Sequence, residues 1–346
     1  MKNVLLIGMN FYSYENAIVQ RLKTLGYRVY HFADHWSVIN TLFPSLQNLS
    51  EQEVLLYQKK IIRQVADVKF DFVIVIVGRF LTEYFFEKIK TKNPQARFIL
   101  YLWDDIHRVQ NFKKISGFFD DIYSFDPNDA VRYGFHFLPL FYREKKDDPR
   151  AMEKNNFTYD IFSAMVCHSD RETIARQLML KYYDYRICVF LTLGPKMIFA
   201  LGPNGVVKRI RRNSFNTINN SKIFYRYVAD PIRDDELYKN MCQSRAILDI
   251  QYPSQIGLTM RSFDTMCVGR KMITTNASIR FYNFYCENNI CIIDRKNPEI
   301  PKEFLESPYE KVDDEIISSY SLNNWIAVLL GEKSECYLKK DNPYNI

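Results

Sequence analysis

The chain has 346 residues, 47% hydrophobic and 15% aromatic, with 11 glycines against 24 tyrosines and 26 phenylalanines. Such a length and composition can fill two domains with buried cores and exclude disordered or low-complexity sequence. A formal net charge of +7 and a pI near 8.8 favour an anionic partner: a nucleotide, a phosphate-bearing lipid or nucleic acid.

The opening residues MKNVLLIG hold too short an apolar core for a secretion signal, and no small-residue cleavage pattern follows. They read instead as the first strand of a parallel sheet. No run of about twenty apolar residues occurs, so no transmembrane helix is expected and the protein is placed in the cytoplasm. Cys167, Cys188, Cys242, Cys267, Cys286, Cys291 and Cys336 form no CxxC and no metal-type spacing with His. Most sit in apolar runs, as buried thiols of a reducing compartment do. Neither a metal nor a cofactor is expected.

In chain order, a strand at 4–8, a helix at 14–25 capped by Gly26 and a strand at 27–32 make a βαβ start. Gly8 stands alone in IGMNFYSYE, so the G-x-G-x-x-G fingerprint of a dinucleotide site is absent. A helix is expected over 51–69. The β-branched run 70–77 has the composition of a central parallel strand buried on both faces. A helix at 80–90 and strands at 97–103, 121–125 and 135–140 complete this half.

The strand at 97–103 runs into Asp104, Asp105 and, two residues on, His107. Ligands collect beyond the carboxyl ends of such strands, so Asp104 or Asp105 is a candidate general base toward a hydroxyl. The alternative is that one of them caps the next helix while His107 faces solvent. Acidic pairs also occur at 120–121, 147–148, 234–235 and 313–314, which deprives any one pair of meaning as a metal site.

Residues 142–157, YREKKDDPRAMEKNNF, are charged and lack apolar periodicity. They divide the chain into a first domain at 1–143, a linker at 144–157, a second domain at 158–330 and a tail at 331–346. The second domain opens with a strand at 159–166, the turn HSDR and a helix to 180, with Ser169 or Asp170 as cap and Arg171 in the first turn. An interrupted apolar stretch at 187–207 precedes Lys208, Arg209, Arg211 and Arg212. That pairing could rest on an anionic bilayer surface, or be a buried element followed by a solvated basic loop. One short cluster without a recognition motif argues against nucleic acid. A helix at 234–243, a short helix at 280–285, a strand at 290–293 and one or two closing helices at 312–330 follow.

The most informative stretch is 246–276. A strand at 246–252 ends at Pro253, and the loop Ser254-Gln255-Ile256-Gly257 leads through Leu258 to Thr259, a plausible N-cap. Met260, Phe263, Met266 and Cys267 share one helical face, Gly269 stands where a left-handed cap belongs, and 271–275 reads as the next strand. The first helical turn offers unpaired N–H groups and the positive end of the macrodipole, which attract an anion. Arg261 adds a permanent charge, Gln255 and Thr259 add neutral partners, and Gly257 permits close approach. The alternative is an Arg261–Asp264 ion pair on a solvated face. The coincidence of helix start and arginine at Arg171 is a second place where a diphosphate could be met.

The segments YLWDDIHR, DDIYSFDPNDA, LPLFY and above all LDIQYPSQIGLTMRSFDTMCVGRKMITTN resemble a bacterial group of lipopolysaccharide or capsular polysaccharide biosynthesis proteins related to CgeB-like glycosyltransferases. The resemblance implies an α/β fold of GT-B type: two Rossmann-like domains with parallel sheets, the second taking a nucleotide-sugar donor and the first a glycan or lipid-linked acceptor. It places Gly257, Leu258, Thr259 and Arg261 against the donor diphosphate, with Gln255 in the same loop. Asp264 falls where related enzymes have a Glu on the ribose, one methylene shorter. Arg171 matches an arginine that follows the first strand of the second domain. The implied activity is metal-independent glycosyl transfer to a cell-surface glycan. The alternatives are a non-catalytic nucleotide-binding scaffold and a transferase of polyol phosphate.

Overall fold

A computed structural model of the protein describes residues 1–9, 13–35, 51–143, 157–194 and 221–346. The basic cluster Lys208, Arg209, Arg211 and Arg212 and nearly all of the expected linker lie outside the described residues. The chain forms two compact units, Met1–Arg143 with Tyr320–Ile346, and Glu144–Ser319.

The first unit is built on a six-stranded sheet of β1 (Asn3–Gly8), β2 (Arg28–Ala33), β3 (Phe72–Ile76), β4 (Arg97–Leu102), β5 (Asp121–Ser124) and β6 (His136–Phe137). Its order is β2-β1-β3-β4-β5-β6, parallel throughout. β1, β3 and β4 are nearly unbroken apolar runs because helices cover both faces of such a sheet, and their side chains are buried almost without exception.

The second unit repeats the plan with β7 (Tyr159–Cys167), β8 (Ile187–Leu193), β9 (Ile223–Val228), β10 (Ser244–Asp249), β11 (Lys271–Thr274) and β12 (Ile290–Ile292). Their order is β12-β11-β10-β7-β8-β9, again parallel. In a parallel sheet all carboxyl ends share one edge, so each unit gathers its strand-to-helix loops on one side.

An edge strand and a helix are among the elements beyond those expected from the sequence. β9 alternates Ile223, Tyr225 and Tyr227 inward with Phe224 and Arg226 outward, the pattern of a strand at the sheet edge. The helix Pro127–Tyr133 carries its own signals: Asp126 accepts the Asn128 amide at 2.9 Å, Pro127 opens the helix, and Gly134 closes it at φ 70°.

The last 27 residues correct the expected boundaries. Positions 320–330 were assigned to the second domain and 331–346 to a tail, yet Tyr320–Ile346 belongs to the first unit. The reason is aromatic packing. On the helix Leu322–Leu329, Trp325 is 1% exposed and meets the Tyr101 ring edge-on at 4.8 Å and the Phe141 ring at 4.9 Å. Arg97 Nη1 donates to the Leu330 carbonyl at 2.6 Å and Tyr123 Oη to that of Val328 at 3.2 Å, which ties the end of that helix to β4 and β5.

Candidate functional site

At the carboxyl edge of the second sheet, the helix Met260–Cys267 begins where the sequence placed it. Thr259 is its N-cap, its Oγ1 accepting the Arg261 amide at 3.2 Å and donating to Asp249 Oδ2 at 2.7 Å. Gly269 follows at φ 62°. Gln255 folds back on its own loop, its Nε2 donating to the Gly257 carbonyl at 2.8 Å, and Leu258 is buried beneath.

Two residues beyond β11 clasp this loop. Asn276 Nδ2 donates to the Ile256 carbonyl at 2.9 Å, and Ser278 Oγ donates to the same carbonyl at 2.8 Å. The closing TTN of the quoted motif thus has a positioning role that spacing did not reveal. Asn276→Ala should cost about 1–2 kcal/mol, read as a lower melting temperature, because the buried Asn276 side chain both donates to the Ile256 carbonyl and accepts the Ser278 amide.

Three arginines surround the helix start. Arg171 is largely buried, its Nε donating to the Ile250 carbonyl at 2.5 Å and its Nη1 to that of Val166 at 3.1 Å. Burial pulls its pKa down, opposed chiefly by Asp249, while Arg295 and Arg261 act in the same direction as burial. Arg295, unmarked in the sequence reading, donates from Nη1 to both carboxylate oxygens of Asp170 at 2.8 and 2.9 Å and from Nη2 to the Gln251 carbonyl at 2.7 Å. Its only sequence signal is its place just past β12, a strand-end arginine like Arg171. Asp170 is the N-cap residue of the helix Arg171–Lys181 but makes no capping bond, since Arg295 occupies it.

Arg261 lies 3.9 Å from Asp264 Oδ2, and its Nη1 is 3.0 Å from the Met241 sulfur. The Arg261–Asp264 pair of the plainer alternative is present, at a distance that makes it weak, but on a largely buried face rather than a solvated one, the side chains being 16% and 14% exposed. The network of Arg171, Arg261 and Arg295 with Asp170, Asp249 and Asp264 is balanced in charge. Arg261, held by the longest contact, is the arginine most readily drawn to an incoming anion.

In the first unit the sequence-predicted carboxylates are occupied. Asp105 Oδ1 accepts the His107 amide at 2.8 Å as the cap of a short 3₁₀ turn, and His107 is exposed. Asp104 is paired with Arg79, and its other oxygen lies 3.8 Å from Arg108. The capping alternative thus describes Asp105 and His107.

A different pair stands at the end of β2. Asp34 is 1% exposed, its amide donates to the Gly8 carbonyl at 2.7 Å, and its Oδ1 is 2.5 Å from His35 Nδ1. Among the described residues Asp34 Oδ2 has no hydrogen-bond partner. Burial raises the Asp34 pKa, and the His35 bond works against that rise. A carboxylate on Nδ1 holds the proton there and leaves Nε2 as the basic nitrogen. The His35 ring rests on Phe80 at 4.8 Å.

Around this pair the strand ends are unusual. A Cβ on Gly8 would come within 2.1 Å of the Glu15 carboxylate, whose Oε2 is 3.1 Å from His31 Nε2. After β3, Val77 takes φ 65° and Gly78 φ 68°, a left-handed pair that places the β-branched Val77 in strained backbone. These turns lead into Arg79, which acts electrostatically on Asp34. Sequence reading missed the pair because Asp34-His35 lies in no recognised motif; its strand-end position was the one available signal.

Among the described residues no three His, Cys, Asp or Glu side chains converge as a metal ion would need, and no helix is long and apolar enough to cross a membrane. No family model matches the sequence, and neither does any curated protein. Solved structures do match. A trehalose-6-phosphate synthase superposes with a TM-score of 0.59 at 10% identity, over 96% of this chain and 98% of its own. The α,α-trehalose-phosphate synthase (UDP-forming) from Burkholderia vietnamiensis gives 0.57 at 10% identity over 96% and 99%. AviGT4, a glycosyltransferase involved in avilamycin A biosynthesis, gives 0.55 at 10% identity over 98% and 100%.

The fold is GT-B. At such identities the likeness extends to architecture alone. In GT-B terms, β1–β6 and β7–β12 are the two Rossmann-like sheets expected from the sequence.

Proposed function

We propose that the protein transfers a glycosyl group from a nucleoside-diphosphate sugar to a hydroxyl acceptor, the acceptor being a cell-surface glycan or lipid-linked precursor as the sequence resemblance implies. The observation that carries this reading is the capped start of the helix Met260–Cys267, with Arg261, Arg171 and Arg295 around it, in a GT-B chain. Gln255, Gly257, Leu258 and Thr259 form the loop over the diphosphate, and Asp264 either reaches the ribose or merely holds Arg261. As the sugar–phosphate bond breaks, negative charge grows on the departing diphosphate. Fixed N–H groups and guanidiniums stabilise it without reorganising.

The proton acceptor we assign to His35 in place of Asp104 or Asp105. Asp105 is committed to a cap and Asp104 to Arg79, whereas His35 is held through Nδ1 and among the described residues nothing is bonded to its Nε2. In an inverting displacement the acceptor oxygen gives its proton to Nε2 and bonds to the anomeric carbon, and the diphosphate leaves with the electron pair of the broken bond.

UDP, GDP or CDP, or one of their sugars, should raise the melting temperature, and Arg261→Ala should lose at least tenfold in affinity. Slow hydrolysis of the donor in the absence of acceptor should accompany binding. Binding without hydrolysis would leave the scaffold reading in place, and no response to any nucleotide would remove both.

A further inference from the structure

The second sheet has a cavity at its other edge. It lies by the amino-terminal ends of β10 and β11, away from the loops that hold the proposed donor, and has a volume of 380 Å³, within the range of small-molecule sites. Phe157, Arg245, Arg270, Lys271, Tyr309 and Val312 line it.

Positive charge predominates there: among the described residues Glu306 is the one carboxylate that lines the cavity, 3.6 Å from Lys302, against Arg245, Arg270, Lys271 and Lys311. Arg270 is 7% exposed, and its hydrogen bonds go to main-chain carbonyls: Nε and Nη2 to Cys242 at 3.1 and 2.7 Å, Nη1 to Gly269 at 3.1 Å. Among the described residues this leaves one N–H free on each terminal nitrogen. Lys271 is 1% exposed and gives its three protons to the Asn288 and Phe304 carbonyls and to Ser307 Oγ. Arg245 donates to the Leu305 carbonyl at 2.8 Å, and Asp160, its ion-pair partner among the described residues, lies 3.9 Å away and is already held by Arg186 through both oxygens.

Carbonyl dipoles solvate these cations but carry no net charge, so three positive groups are gathered in a low-dielectric recess. Burial accordingly pulls the pKa of Arg270 and of Lys271 down. The Arg245 and Arg270 guanidiniums flank one ring, 5.4 and 5.2 Å from the Phe157 centroid. Tyr309, its phenol pushed up to about 12 by burial, stays protonated and can donate.

We propose that this cavity is a second ligand site, for a small anion, a phosphate or carboxylate, carried on a flat apolar body. The anionic head would take the free N–H groups of Arg270 and the charge of Arg245 and Lys271, and the body would lie against Phe157, Tyr309 and Val312. The site is independent of the glycosyl-transfer reading, because it uses none of those residues.

The test is calorimetric titration of the full chain with phenyl phosphate, inorganic phosphate and the neutral benzyl alcohol. Phenyl phosphate should bind more tightly than either of the other two. Arg245→Gln should weaken it at least tenfold, and Val312→Trp, which fills the recess without touching a charge, should abolish it. Arg261→Ala should leave it unchanged. The proposal is overturned if phenyl phosphate gives no binding heat, if benzyl alcohol or inorganic phosphate binds as well, if Arg245→Gln and Val312→Trp leave its affinity unchanged, or if Arg261→Ala abolishes it, which would place the probe in the donor loop.

Discussion

Replacing His35 by alanine is expected to lower the transfer rate about 10²–10⁴-fold, the usual worth of a positioned general base. The nucleotide-induced rise in melting temperature should persist, since the proposed donor residues lie in the other unit. The loss should fall on kcat rather than on donor KM. Asp34→Asn provides the diagnostic companion. Asn can still accept the Nδ1 proton at 2.5 Å, so the ring keeps its orientation, but the imidazolium formed in the reaction loses its counter-charge.

Stability should move the other way. A carboxyl whose pKa is higher folded than unfolded contributes fully to stability below the ordinary carboxylate range. That contribution is lost as pH rises through the folded pKa. Near neutral pH a buried Asp34 is therefore a cost to folding, and Asp34→Asn should raise the melting temperature while slowing turnover. A gain in stability joined to a loss of rate is the behaviour of a group retained for chemistry. If His35→Ala keeps full activity, the assignment of the base fails, whereas the donor loop is tested separately by Arg261→Ala.

Trp325→Ala should be the most damaging single change to the fold, costing the first unit about 3–5 kcal/mol. The indole is almost fully enclosed between Tyr101 and Phe141, and its removal opens a cavity at the junction of the C-terminal helix with the sheet. Trp36 and Trp103 both precede residue 144, so the indole emission that remains follows the first unit. Its urea midpoint should fall markedly, while the nucleotide-dependent shift of the second unit is retained. An unchanged midpoint would mean that 320–346 is not integral to the first unit's core.

Much of the second unit's candidate site was legible in the sequence because its signals are local. Thr259 as cap, Gly269 as left-handed terminator and the one-faced run Met260, Phe263, Met266 and Cys267 each depend on neighbours within a few residues. The same holds for the strands β1, β3 and β4, whose β-branched runs report burial on two faces. What failed to show was whatever depended on distant partners. Arg295 gains meaning only when β12 sets it beside Asp170, 125 positions earlier, and Asn276 only when its amide reaches back to Ile256. Asp104 and Asp105 stood out for their place at the end of the 97–103 strand; the structure pairs Asp104 with Arg79, 25 positions earlier, and Asp105 with the His107 amide.

By itself, then, the amino-acid order determined two α/β halves, the placement of most strands and helices, and the capped start of the helix Met260–Cys267. Period, capping and turn chemistry act over one or two turns of chain and need no fold to be read. Only the tertiary structure decided that the last 27 residues close the first half, that three arginines share one strand edge, and that a buried Asp34 orients His35. Each of these is a long-range contact, set by which surfaces exclude water together, and no short window of sequence contains both of its partners.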